Sequence, residues 1–186
     1  MPDNPNPQGK AALPLLADLQ SWRGTAAPAR NARDVLVDYL SGLLVLSADF
    51  NFRPVPGKPY HLYFRDGQWQ LSLVAPGEWR PPRWGAFAAY CELGLDATWT
   101  VEPAGDLSEK PELVMALRQF RAGFEARLAA AETVEGDLPH FEAHLPYYRR
   151  VMASGLASSL QYSLKRLGLA NASGRALLAH QEDGPS

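Results

Sequence analysis

An Asp66-Gly67 pair stands between two short segments of alternating polarity, and few local signals restrict a chain so closely. Tyr60, Leu62 and Phe64 alternate with His61, Tyr63 and Arg65, so the first three share one face of a strand. Trp69, Leu71 and Leu73 repeat the pattern on the return. The Asp-Gly pair meets the positive-φ requirement of a type I′ turn, so the two segments are predicted to close an antiparallel hairpin. Ala75-Pro76-Gly77 ends the second strand; a third is predicted over 86–93 and a fourth over 98–102. From Tyr60 to Trp99 the chain holds four of its five tryptophans and reads as a β-meander. Aromatic residues at this density either build a core or line a binding surface.

Helical periodicity flanks the meander on both sides. Asn31 followed by Asp34 makes a helix start, and Leu36, Leu40, Leu43 and Leu44 share a face of a helix predicted over 32–47. Leucines at 13, 15, 16 and 19 allow a short helix before it, with Pro14 in its first turn. After Pro103, Leu113, Leu117, Phe120, Phe124 and Leu128 recur at helical spacing, with Asp106 and Glu109, or Ser108 alone, as the expected cap. A second pattern runs from Phe141 through Leu145, Tyr148, Met152, Leu156, Leu160 and Leu164 to Leu167, closed by Gly168. Pro146 either kinks that helix or opens it. Residues 1–9 read as a disordered arm, 10–170 as one domain, and 171–186 as a flexible tail able to form one more helical turn. A sheet with one apolar face needs a helical cover, so the predicted class is α+β. Four or five antiparallel strands would pack against an N-terminal helix and two longer C-terminal helices.

Several function classes recede on composition. A net charge of −2 removes the electrostatic drive that non-specific phosphate binding needs, so nucleic acid is not the expected partner. Cys91 is the only cysteine, which leaves no intrachain disulfide and no paired-thiolate zinc site. The N-terminus lacks the basic start and apolar run of a secretory signal, and Leu43–Leu46 is far too short to span a bilayer. The expectation is a soluble, cytoplasmic protein with no membrane partner. No glycine-rich phosphate loop, nucleophile elbow or dinucleotide fingerprint opens a helix, so no cofactor is expected.

The loop from Glu78 to Gly85 concentrates the candidate chemistry. Trp79, Trp84, Arg80 and Arg83 with a proline pair form a platform for stacking, cation–π contact or an extended peptide. The competing reading folds both indoles back as a lid on a thin sheet. His61 and Tyr63 project from the strand face opposite Tyr60, Leu62 and Phe64; with Glu78 or Asp96 they could form an acid–base group if the strands converge. His140 and His144 share a helical face, but His-Phe-Glu-Ala-His lacks the glutamate placement of a zinc-protease helix and has no nearby third ligand. No metal is expected. On the last long helix Ala153, Ser154, Gly155, Ala157, Ser158 and Ser159 favour close approach of another helix, in the same chain or in a second copy. Arg149, Arg150, Lys165 and Arg166 read as its solvated rim.

The run Tyr60-His-Leu-Tyr63, then Leu71-Ser-Leu-Val-Ala-Pro76, Glu78-Trp79, Phe87 and Asp96-Ala-Thr-Trp99 resembles an uncharacterised family of small soluble proteins found in bacteria and animals. The resemblance covers about residues 50–102 and implies a shared domain of unknown function, with no activity or cofactor to carry over. This chain departs from the pattern in placing Arg80 directly after the Glu-Trp pair, where glycine is usual, and it delays its own glycine to Gly85. The reading that follows is a non-enzymatic binding or adaptor module holding a protein segment or small ligand through the aromatic loop. A small enzyme with a pocket between sheet and helices is the alternative, and a helix-mediated structural homo-oligomer is the third.

Overall fold

The computed structural model describes residues 31–78, 85–131 and 147–182. The expectations for the N-terminal arm, the leucines at 13–19, Trp79, Arg80, Arg83, Trp84, His140, His144 and Pro146 fall outside those residues. Nine elements follow from the rest. Helix α1 spans Ala32–Ser47, and strands β1 to β4 span Pro59–Arg65, Gln68–Ser72, Ala86–Leu93 and Trp99–Pro103. A 3-10 turn over Leu107–Glu109 leads into α2 over Pro111–Ala130, followed by α3 over Tyr147–Arg166 and α4 over Gly174–Glu182. The α+β class and the antiparallel sheet are those read from the sequence.

Local chemistry accounts for most element ends. Asn31 caps α1 through its side-chain oxygen, which accepts the Asp34 N–H at 2.8 Å. At the hairpin tip Asp66 and Gly67 take φ values of 50° and 80°, and Arg65 pairs with Gln68. The cap expected for α2 differs. Neither Asp106 nor Ser108 starts the helix, because Pro111 occupies its first position, where a missing N–H costs nothing. Asp106 instead holds Lys110 Nζ at 2.8 Å.

The sheet is antiparallel in the order β2-β1-β3-β4. A simple meander would lay β3 beside β2; here β3 returns to β1, which becomes a central strand. The far edge of β2 is covered briefly by Asp49, whose N–H donates to Trp69 O and whose carbonyl accepts from Leu71 N. Leu73, expected on the core face, is 58 % exposed. The strand ends one residue earlier because Ser72 Oγ accepts the Val74 N–H at 3.0 Å and turns the chain.

Two apolar cores meet at α1. Leu44 and Val45 pack on the sheet with Tyr60, Leu62, Leu71, Ala89, Cys91, Leu93 and Trp99. Val35, Leu36 and Tyr39 join the helices through Phe124, Leu128, Leu156, Leu160, Leu164 and Leu177. Two of the small residues of α3 pack within the chain. Ala157 is buried, and a Cβ on Gly155 would press on Ala97 of the β3–β4 turn. Arg149 is not part of a solvated rim. Its side chain is 11 % exposed, its guanidinium lies 4.2 Å from the Phe50 ring centre, and Nη2 donates to Phe50 O at 3.0 Å. The expected flexible tail also gives way to structure, since α4 buries Leu177 completely.

Candidate functional site

Small residues at the middle of β3 leave a hollow under the helices. Leu62 of β1 pairs with Ala89, whereas Tyr63 pairs with Phe87, so Ala88 is the extra residue of a bulge. Two consecutive alanines thus lie where neighbouring positions of the sheet carry Leu93 and Trp99. Above them α1 packs chiefly on α3 and only sparsely on α2. The result is a partly open cavity of about 310 Å³, the lower end of the size range of small-molecule sites. Its floor is Leu62, Ala89, Val101 and Pro103, and its walls are Leu40 and Leu44 of α1 with Leu117 and Phe120 of α2. Ser41 and Arg121 supply its polar groups.

The opposite face of the sheet carries a separate aromatic cluster. Tyr63 and Phe87 rings lie 5.5 Å apart, Phe87 and Tyr90 lie 4.8 Å apart, and His61 sits 5.6 Å from Tyr90. β1 is therefore buried on both faces, where the alternation predicted one. His61 is 6 % exposed, and its Nδ1 has no hydrogen-bond partner among the described residues. Burial pushes its pKa below the ordinary imidazole value, opposed in part by the Ser72 backbone and the Glu78 charge. Burial likewise raises the Tyr63 phenol, with Glu78 and Tyr90 adding to the shift, and the Tyr63 hydroxyl donates to Val74 O at 2.9 Å.

These positions separate the predicted site residues. Glu78 is close enough for its charge to act on His61 and Tyr63, yet its Oε2 is engaged by the Ala75 N–H at 3.0 Å. Asp96 belongs to the β3–β4 turn, where it accepts Thr98 N at 3.2 Å and Thr98 Oγ1 at 2.6 Å. None of His61, Tyr63, Glu78 and Asp96 lines the cavity between sheet and helices. Among the described residues no cluster of His, Cys, Asp and Glu could hold a metal. Burial drives the Cys91 thiol up to about 12, which leaves it protonated and inert at neutral pH. Sequence reading passed over Ser41, Ala88, Ala89 and Arg121; the Ala88-Ala89 pair inside an aromatic strand was the one local signal for a hollow.

The His61 environment carries a pH prediction. A histidine whose pKa is lowered by folding binds fewer protons folded than unfolded, so its contribution is fully present above the unfolded value near 6.5 and is lost as pH falls below it. Chemical denaturation at pH 7.5 and 5.5 should therefore show a smaller acid loss of stability for His61→Phe than for the unaltered chain. Equal losses in both proteins would contradict the assignment.

No helix among the described residues is long and apolar enough to cross a membrane. No curated protein and no solved structure matches the chain. Residues 28–122, about half the chain, match the family described as "Protein of unknown function (DUF2452)", a span that takes in α1, the whole sheet and the first part of α2. Every residue lining the cavity, from Val37 to Arg121, falls inside that span, and the chain belongs to this family.

Proposed function

We propose that this protein is a non-enzymatic binding module that takes a small, largely apolar molecule into the cleft between α1, α2 and the sheet. The observation that carries the reading is the cleft itself, a cavity of about 310 Å³ walled by Leu40, Leu44, Leu117 and Phe120. An apolar hollow of this size gains free energy from any fitting apolar occupant, through removal of both surfaces from water. Among the described residues its lining has no carboxylate, imidazole or thiol to act as acid, base or nucleophile, which favours binding over the enzyme reading. The Tyr-x-Leu-Tyr strand and the closing Thr-Trp would then serve the fold, since Tyr60 and Trp99 belong to the core cluster on the sheet.

The test uses a neutral apolar fluorophore, N-phenyl-1-naphthylamine. The unaltered chain is expected to enhance its fluorescence saturably, at one probe per chain. Ala89→Leu fills the hollow from its floor and should abolish the enhancement while leaving the thermal transition within a few degrees. Absence of saturable binding to the unaltered chain, or undiminished binding to a folded Ala89→Leu variant, would overturn the proposal.

A further inference from the structure

The described lining of the cleft has two residues with polar side chains, Ser41 of α1 and Arg121 of α2, and both have unused hydrogen-bonding capacity among the described residues. Arg121 is engaged only through Nε, which donates to Glu125 Oε1 at 2.6 Å. Its two terminal amino groups hold no hydrogen bond among the described residues. The Ser41 hydroxyl of α1 likewise has no partner among the described residues. The remaining described lining is apolar, with Val37, Leu40, Leu44, Leu107, Leu117 and Phe120 in the walls.

We propose that the ligand of this cleft is an anionic amphiphile, a short or medium acyl chain with a carboxylate head, whose head meets Arg121 and Ser41 while its chain lies over Leu62 and Ala89. This rests on the apolar-cleft reading above and deepens it. A guanidinium presents planar donors matched to two carboxylate oxygens, and the two amino groups left free by Glu125 are those suited to such a contact. Glu125 holds the guanidinium from the side of the next helical turn, fixing its direction and reducing its net charge. The head is therefore expected to add selectivity, with most of the affinity supplied by the chain.

Decanoate and 1-decanol, two probes of equal chain length, separate the two claims when each displaces the bound fluorophore. Decanoate is expected to bind about tenfold more tightly than the alcohol at neutral pH. Arg121→Gln should bring that ratio to about one, and Arg121→Lys should restore part of it. Added salt should weaken decanoate and leave decanol alone, because the Arg121 side chain is 63 % exposed. If both compounds bind alike to the unaltered chain, or if Arg121→Gln leaves the decanoate preference intact, the anionic-head proposal fails and the apolar cleft stands. If neither compound displaces the fluorophore, the amphiphile proposal fails; if the fluorophore itself does not bind, the cleft reading fails with it.

Discussion

Trp99→Ala is expected to lower the unfolding free energy by about 3–5 kcal/mol, the range for deleting a large aromatic side chain from a close-packed core. Trp99 is 2 % exposed, opens β4 opposite Leu93, and meets Tyr60 edge-on at 5.7 Å. Tyr60 in turn stacks on Phe52 at 5.5 Å, and its hydroxyl accepts the Val55 N–H, so the proline-rich lead into the sheet is tied to the same cluster. For a chain of this length each kcal/mol moves the melting temperature by roughly 2–4 °C, which puts the loss well within reach of calorimetry. Trp99→Phe should be much milder, about 1–2 kcal/mol, because it keeps most of the aromatic volume while removing the indole N–H, a buried donor with no partner among the described residues. A Trp99→Ala variant melting with the unaltered chain would mean that this residue does not anchor the sheet.

What could be read in advance was what depends on neighbours in sequence. Asp66-Gly67 fixes a turn by backbone preference alone, and Asn31 caps α1 through a contact three residues away, so both were legible. The pairing of β1 with β3 joins Tyr60 to Cys91, and no local term distinguishes it from a meander in which β3 lies beside β2. Arg149 illustrates the same limit. Its charge suggested solvent, yet its stem and guanidinium are placed by Phe50 and Asp49, about a hundred residues earlier in the chain. The cleft is the extreme case. Val37, Leu62, Ala89, Val101 and Leu117 come from separate elements, each unremarkable alone, and the hollow lies where α1 and α2 touch only sparsely above two alanines. His61 and Tyr63 were placed correctly on the far face of β1, but their burial there depends on Phe87 and Tyr90 across the ladder.

Gly174→Ala should detach α4 from the domain, an effect on the order of 2–4 kcal/mol through lost contacts and backbone displacement. A Cβ at Gly174 would collide with the Leu128 carbonyl oxygen near the end of α2, a backbone atom with no rotamer to yield. The helix otherwise starts well, with Ser173 Oγ accepting the Ala176 N–H at 3.3 Å. Alanine would raise its intrinsic helix propensity, so propensity and packing predict opposite signs and the measurement decides between them. If packing governs, α4 moves away, Leu177 is exposed, and Arg175 Nε releases the Ala129 carbonyl that it holds at 3.1 Å. Leu177→Ala gives the comparison, removing the same burial without touching the backbone contact. Amide exchange should then accelerate over 174–182 and at the end of α2 in Gly174→Ala, while β1 and β3, held by their own ladder and by Trp99, keep their protection. Unchanged exchange across α4 with a higher melting temperature would show that the helix can shift to admit a methyl group, and that its docking is looser than the burial of Leu177 indicates.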